Sequence, residues 1–173
     1  MKKNLFSITA SVVAIVASGT LLIMPGVVVA ATTQTASILV SLTITPTCSI
    51  TAGPIAFGNV SDLTAASTAK STIALTCSNL LPYAVSLDAG NTTSSTVDSR
   101  LLVGTDNATT LAFQLYSDSG LTTIWGDTSG SDTSAGVGTG KSQSLIVYGQ
   151  VAANANPPKP DTYKSIVTAT VTY

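Results

Sequence analysis

The chain contains no Glu and no His, and beyond Ala30 Ser and Thr fill nearly a third of it, alternating with Val, Ile, Leu and Ala. That restriction constrains the fold before any motif is read. Branched side chains suit the pleated, half-buried surface of a sheet. With Glu absent and Lys and Arg scarce, helices longer than a turn or two are not expected.

Strand signals recur with turn signals between them. Ile38, Val40, Leu42 and Ile44 alternate with Leu39, Ser41, Thr43 and Thr45, and the parity continues through Pro46 to Cys48 and Ile50. Gly53-Pro54 interrupts before a short segment, Ile55-Ala56-Phe57-Gly58. Ile73, Leu75 and Cys77 share the face of one strand, and Tyr83, Val85 and Leu87 that of the next. A polar loop with Gly90-Asn91 leads to a segment over 100–103, and Leu111, Phe113 and Leu115 alternate after it. Thr123-Ile124-Trp125 precedes a Gly/Ser/Thr/Asp loop over 126–140. The segment 145–151 alternates less cleanly, a loop with three prolines follows, and residues 163–173 read as the last strand. Eight or nine short segments at this spacing predict one domain, an all-β Greek-key sandwich or barrel. No internal repeat supports a solenoid.

The start of the chain, over 1–30, stands apart. Lys2 and Lys3 precede an apolar stretch over 5–22, Pro25-Gly26 breaks any helix, and Val28-Val29-Ala30 offers small residues for cleavage after Ala30 or Ala31. This pattern is a removable export signal rather than a membrane anchor. The chain beyond Ala30 suffices for one domain with its own core. Five basic residues against eight Asp give that part a formal charge of −3, with no basic patch for nucleic acid.

Cys48 and Cys77 are the only cysteines. In an exported chain an even pair reads first as a disulfide. Two thiolates without His or Glu leave a zinc site short of ligands, and a separation of 29 positions is unlike a redox C-x-x-C. Closing a loop of that size stabilises a fold by roughly 3–4 kcal/mol on the chain-entropy model.

Chemistry is scarce. Without His or Glu there is no Ser-His-Asp triad, no thermolysin-like zinc motif and no Glu acid/base pair, so no catalytic residue, metal or cofactor is assigned. The Asp residues fall in loops and at strand ends and read as turn residues, not calcium ligands. Gly136-Val137-Gly138-Thr139-Gly140-Lys141 lacks phosphate-loop spacing. Sequons at Asn59, Asn91 and Asn107 arise easily in a Thr-rich chain. Trp125 and Tyr116 read as packing residues, although an isolated Trp can also serve as a sugar platform.

The arrangement at the two ends then matters. A spare alternating strand stands at the front of the domain, and no strand signal follows the segment ending at Tyr173. Such an order suggests an Ig-like sandwich lacking its final strand and completed by donor-strand exchange between copies. The alternative is that residues 38–44 are the domain's own first strand, folded back in a closed monomer.

Several segments occur in a telling order. They are Cys48-Ser49-Ile50, Phe57-Gly58-Asn59-Val60, Ile73-Ala74-Leu75-Thr76-Cys77 and Pro82-Tyr83-Ala84-Val85-Ser86-Leu87-Asp88-Ala89-Gly90. Arg100-Leu101-Leu102, Leu115-Tyr116-Ser117-Asp118, Trp125-Gly126-Asp127, Val147-Tyr148-Gly149 and Thr170-Val171-Thr172-Tyr173 follow. In combination they resemble the spore coat protein U domain over essentially all of residues 38–173. The stretch Pro157-Pro158-Lys159-Pro160 departs from the family, which more often has a Gly-containing turn there.

Members of that family look like subunits of archaic chaperone–usher pili, adhesive and biofilm-promoting fibres of Gram-negative cells. The resemblance therefore implies an incomplete Ig-like domain over 46–173 whose groove takes another chain's N-terminal donor strand. Here that donor is the segment 31–45, inserting Ile38, Val40, Leu42 and Ile44. The implied partners are neighbouring copies or related pilins, a periplasmic chaperone and an outer-membrane usher. Export through the periplasm to a surface pilus follows, with no stable membrane span after signal cleavage. A spore or cell-surface coat protein of the same domain family is the alternative. A tip adhesin would need a second domain, for which the chain beyond Ala30 leaves no room.

Overall fold

A computed structural model of the protein describes residues 30–156 and 158–173. The export signal expected over 1–30 lies outside them except for Ala30. The chain divides into two units, Met1–Ser41 and Leu42–Tyr173. Residues 30–41 form no helix or strand, and Ile38, Leu39 and Val40 are exposed.

Among the described residues nine strands build the second unit: β1 (Cys48–Ala52), β2 (Ser67–Cys77), β3 (Pro82–Leu87), β4 (Arg100–Gly104), β5 (Thr110–Tyr116), β6 (Ser134–Val137), β7 (Ser142–Val151), β8 (Tyr163–Lys164) and β9 (Ala169–Thr172). No helix occurs among the described residues. Six strands form one sheet in the order β1-β2-β7-β5-β4-β8, and three form a second in the order β6-β3-β9, every pairing antiparallel. The expected all-β sandwich is the fold observed.

Side-chain parity explains how the sheets face each other. Consecutive strand residues point to opposite faces, so the alternating apolar residues of each strand collect on one side. Ile73, Leu75 and Cys77 from β2, Tyr83, Val85 and Leu87 from β3, Phe113 and Leu115 from β5, and Val147 and Val151 from β7 are all buried. They form a single core with Leu63 and Trp125. The weaker alternation of β7 has a simple cause: Ile146 and Tyr148 sit on its solvent face, so both faces carry large side chains.

Three local features differ from the sequence pattern. The final segment divides into β8 and β9, which belong to different sheets, with residues 165–168 crossing between them. The 126–140 loop contains β6, paired with β3 through Pro82↔Val137 and Val85↔Ser134. Residues 55–57 form no strand, yet Ile55 and Phe57 pack on the core. Gly149 permits this packing, because a Cβ there would stand 3.0 Å from Phe57 Cζ and 3.1 Å from Ile55 Cγ2.

Candidate functional site

The site is an apolar groove of about 510 Å³ that opens directly onto the core. Ile73, Phe113, Leu115 and Val147 form its floor; Ile55 and Phe57 stand on one side, Val167 and Ala169 on the other. Core side chains of a closed sandwich would be covered by a strand at this place.

Backbone accounting identifies which strand edges bound the opening. Among the described residues β1 pairs only with β2, and β9 only with β3. Across an antiparallel pair, alternate residues turn their N–H and C=O toward the partner. Gly53 N–H donates to Thr72 O at 3.1 Å, and Ser78 N–H to Thr47 O at 2.9 Å. The odd-numbered residues of this segment therefore face β2, and Cys48, Ile50 and Ala52 direct their polar groups to the open side. On the crossover just before β9, the Thr168 and Ile166 backbones bond toward Asp88 and Asn91. Leu87 N–H, opposite Ala169, donates instead to Gly126 O at 2.9 Å. Val167, Ala169 and Val171 thus present their N–H and C=O groups to the other side of the opening. The same six residues carry the side chains that lean inward. A guest strand between β1 and β9 would meet a row of donors and acceptors on each flank and an apolar floor beneath. The two strands approach within 8 Å at Cα and must first part to the roughly 9.5 Å that a lane between them needs.

Both flanks are tied to the rest of the domain. Cys48 and Cys77 lie opposite each other in register and are joined by a disulfide, with S–S 2.02 Å and Cα–Cα 4.1 Å. That bond fastens β1 to β2. On the far flank, Asp88 Oδ1 accepts from Thr168 N–H and from Gly90 N–H, both at 2.9 Å. Asn91 Oδ1 accepts from Ile166 N–H at 2.8 Å. Burial pushes the Asp88 carboxyl up, but the Thr168 and Gly90 hydrogen bonds and the Arg100 charge outweigh it and hold its pKa below the ordinary carboxylate value.

Arg100 anchors this flank from inside the domain, and its side chain is fully buried. Nε donates to Asp88 O at 2.9 Å, and Nη2 to Leu87 O at 2.9 Å and Trp125 O at 2.8 Å. Nη1 donates to Val97 O at 3.2 Å and Gln114 Oε1 at 2.6 Å. The planar guanidinium thus ties the end of β3, the loop before β4, the middle of β5 and the Trp125 backbone together. Burial lowers its pKa below that of an ordinary arginine, opposed by Asp88, Asp127, Asp132 and Asp98. Sequence reading missed this role. One signal was available: Arg100 is the sole arginine in a chain with six lysines.

The remaining candidates fall into structural places. Trp125 is buried and its Nε1–H donates to Val85 O at 2.8 Å, leaving no open ring face for a sugar. Asp62, Asp118, Asp132 and Asp161 accept backbone N–H bonds within turns and loops. Among the described residues no cluster of His, Cys, Asp or Glu is arranged to hold a metal ion. Gly136-Val137-Gly138 ends β6 and turns toward β7, without the helix a phosphate loop needs. Leu42 and Ile44, like Ile38 and Val40, are more than four-fifths exposed and belong to no strand.

Comparison with known proteins places this geometry in context. The family model for the Spore Coat Protein U domain matches residues 34–170. No curated protein sequence matches the chain. Among solved structures, the fold is similar to a chain of the CsuC–CsuE chaperone–tip adhesion subunit pre-assembly complex from the archaic chaperone–usher Csu pili of Acinetobacter baumannii. The TM-score is 0.53 at 21% identity, and the match covers 76% of this chain and 41% of that one.

Proposed function

The chain belongs to the spore coat protein U domain family, and from that premise we propose that it is a structural subunit of a chaperone–usher surface pilus. In this reading the β1–β9 groove receives residues 38–44 of a neighbouring copy. The observation that carries the reading is the match between groove and segment. The groove offers an apolar floor between two unpaired backbone edges, and the segment offers Ile38, Val40, Leu42 and Ile44, exposed and of one parity.

The energetics favour exchange between chains. Burying four such side chains contributes roughly 6–12 kcal/mol before ordering costs. Each new main-chain hydrogen bond adds about 0.5–1.5 kcal/mol. This is strand addition used as a polymer joint. An open groove exposes two edges to uncontrolled pairing, so a periplasmic chaperone lends a strand until an outer-membrane usher admits the next subunit. The product is a surface fibre serving adhesion and biofilm formation, and no step of that role calls for catalysis.

Deleting residues 33–43 separates the two halves of the joint. The shortened protein should still be captured by a strand-donating chaperone but should not extend a fibre, as judged by electron microscopy. Fibres formed by the deleted protein alone would sink the reading. So would an intact chain that stays a monomer with its own residues 38–44 protected from hydrogen exchange.

A further inference from the structure

Only Thr45, Pro46 and Thr47 separate Ile44 from β1. Four Cα steps reach about 15 Å at full stretch, and Pro46 keeps itself and Thr45 extended. If residues 38–44 occupy a neighbour's groove, as proposed above, that neighbour stands against the end of the domain where β1 begins.

That end carries apolar side chains that the fold does not explain. Thr47 N–H donates to Ser78 Oγ at 3.0 Å, which seats the 78–81 turn beside the linker. Leu80 N–H donates to Gly138 O and Gly138 N–H to Leu81 O, both at 2.8 Å, bringing the end of β6 to the same place. Leu80 is 77% exposed and Val137 50%. Leu80 also has φ +60°, a left-handed conformation that Gly or Asn would adopt more readily. A leucine there serves neither the turn nor the core. At the opposite end, on the 165–168 crossover, Ile166 is 69% exposed at the mouth of the groove, which it helps to line. Pro82 pairs with Val137, Ala84 with Thr172 and Leu87 with Ala169, so β9 runs from the Ile166 end toward the Leu80 end.

We infer that Leu80 and Val137 of one subunit pack against Ile166 of the copy that holds its donor segment. The inference rests on the donor-segment reading, with the donor running antiparallel to β9 and leaving the groove at the Ile166 end. The contact joins different patches on the two copies, so it repeats head to tail and propagates an open fibre.

Full-length chains carrying Leu80→Cys and Ile166→Cys, polymerised together and then oxidised, test the inference. A covalent dimer joined through positions 80 and 166 is expected in the mixture and not in fibres of either variant alone. Fibres that form without that link overturn the contact and leave the donor reading standing. A link between two copies of position 80 overturns the direction. Failure of the unmodified chain to form fibres would overturn the donor reading and this inference with it. Leu80→Asn supplies a second measurement, because Asn tolerates the left-handed turn. Its monomer should be at least as stable as the parent while its fibres break roughly tenfold faster. Unchanged breakage overturns the contact.

Discussion

Replacing Arg100 by Met tests the internal anchor of the groove. Met keeps much of the apolar stem and removes all five hydrogen bonds made by the guanidinium. Two acceptors retain other partners, since Val97 O still receives Gln114 Nε2–H and Gln114 Oε1 still receives Leu115 N–H. Leu87 O, Asp88 O and Trp125 O keep no other hydrogen bond among the described residues. A stranded buried acceptor costs roughly 1–3 kcal/mol. Slight opening at Asp88, the outermost of the three, gives it water, so the two acceptors left bring the total to about 2–6 kcal/mol. That is a large part of the roughly 5–15 kcal/mol that holds a domain folded. The assay is urea unfolding with a saturating synthetic peptide of residues 36–46, so that the groove is filled in both proteins. With a slope of about 2 kcal/mol per molar urea, the midpoint should fall by roughly 1–3 M. Arg100→Lys should recover little, because one ammonium cannot reach carbonyls spread around a planar fork. A Met variant within about 0.5 M of the parent would refute the argument.

Three further outcomes follow from the groove's walls. Cys48→Ala or Cys77→Ala should cost roughly 3–4 kcal/mol and lower periplasmic yield; two free thiols in the native exported protein would contradict the bond. The Asp88 carboxyl has a lowered folded pKa, so its contribution is fully present above the unfolded value near 4 and is lost as pH falls through the folded one. Hydrogen exchange at Thr168 and Gly90 should accelerate over that acid range, and Asp88→Ala should abolish the dependence. Gly149→Val should displace Phe57 and Ile55 at a cost of about 1–3 kcal/mol, and weaker binding of the 36–46 peptide is the measurement.

The fold was legible wherever alternation and burial coincide. Ile73, Leu75 and Cys77, or Tyr83, Val85 and Leu87, declare both a strand and its inner face. The division of the last segment into β8 and β9 was not legible, because Tyr163, Val167, Ala169 and Val171 keep one parity throughout. Parity records which side chains share a face and not which sheet supplies the neighbour. The same limit applies to residues 38–44, whose alternation marks a strand without naming the chain that pairs with it. β6 escaped notice because Ser134-Ala135-Gly136-Val137 is too small and polar to announce a strand. Arg100 reads as an ordinary surface cation between Ser99 and Leu101, since its partners are backbone carbonyls that leave no residue signature in sequence.

The way the walls are held bears on how tightly a guest strand can bind. Filling a groove that must first form charges its ordering entropy against affinity. Here β1 is fixed by the Cys48–Cys77 bond, and the crossover before β9 by Asp88 and Asn91. Arg100 in turn fixes the backbone of Asp88. None of these contacts uses the edge groups of Cys48, Ile50, Ala52, Val167, Ala169 or Val171. Both rows of donors and acceptors are therefore free before any guest arrives, but β1 and β9 approach within 8 Å at Cα, so admitting a strand also costs their separation to roughly 9.5 Å. The alternating stretch over 38–44 is short enough to bear its own ordering from the burial of its four apolar side chains.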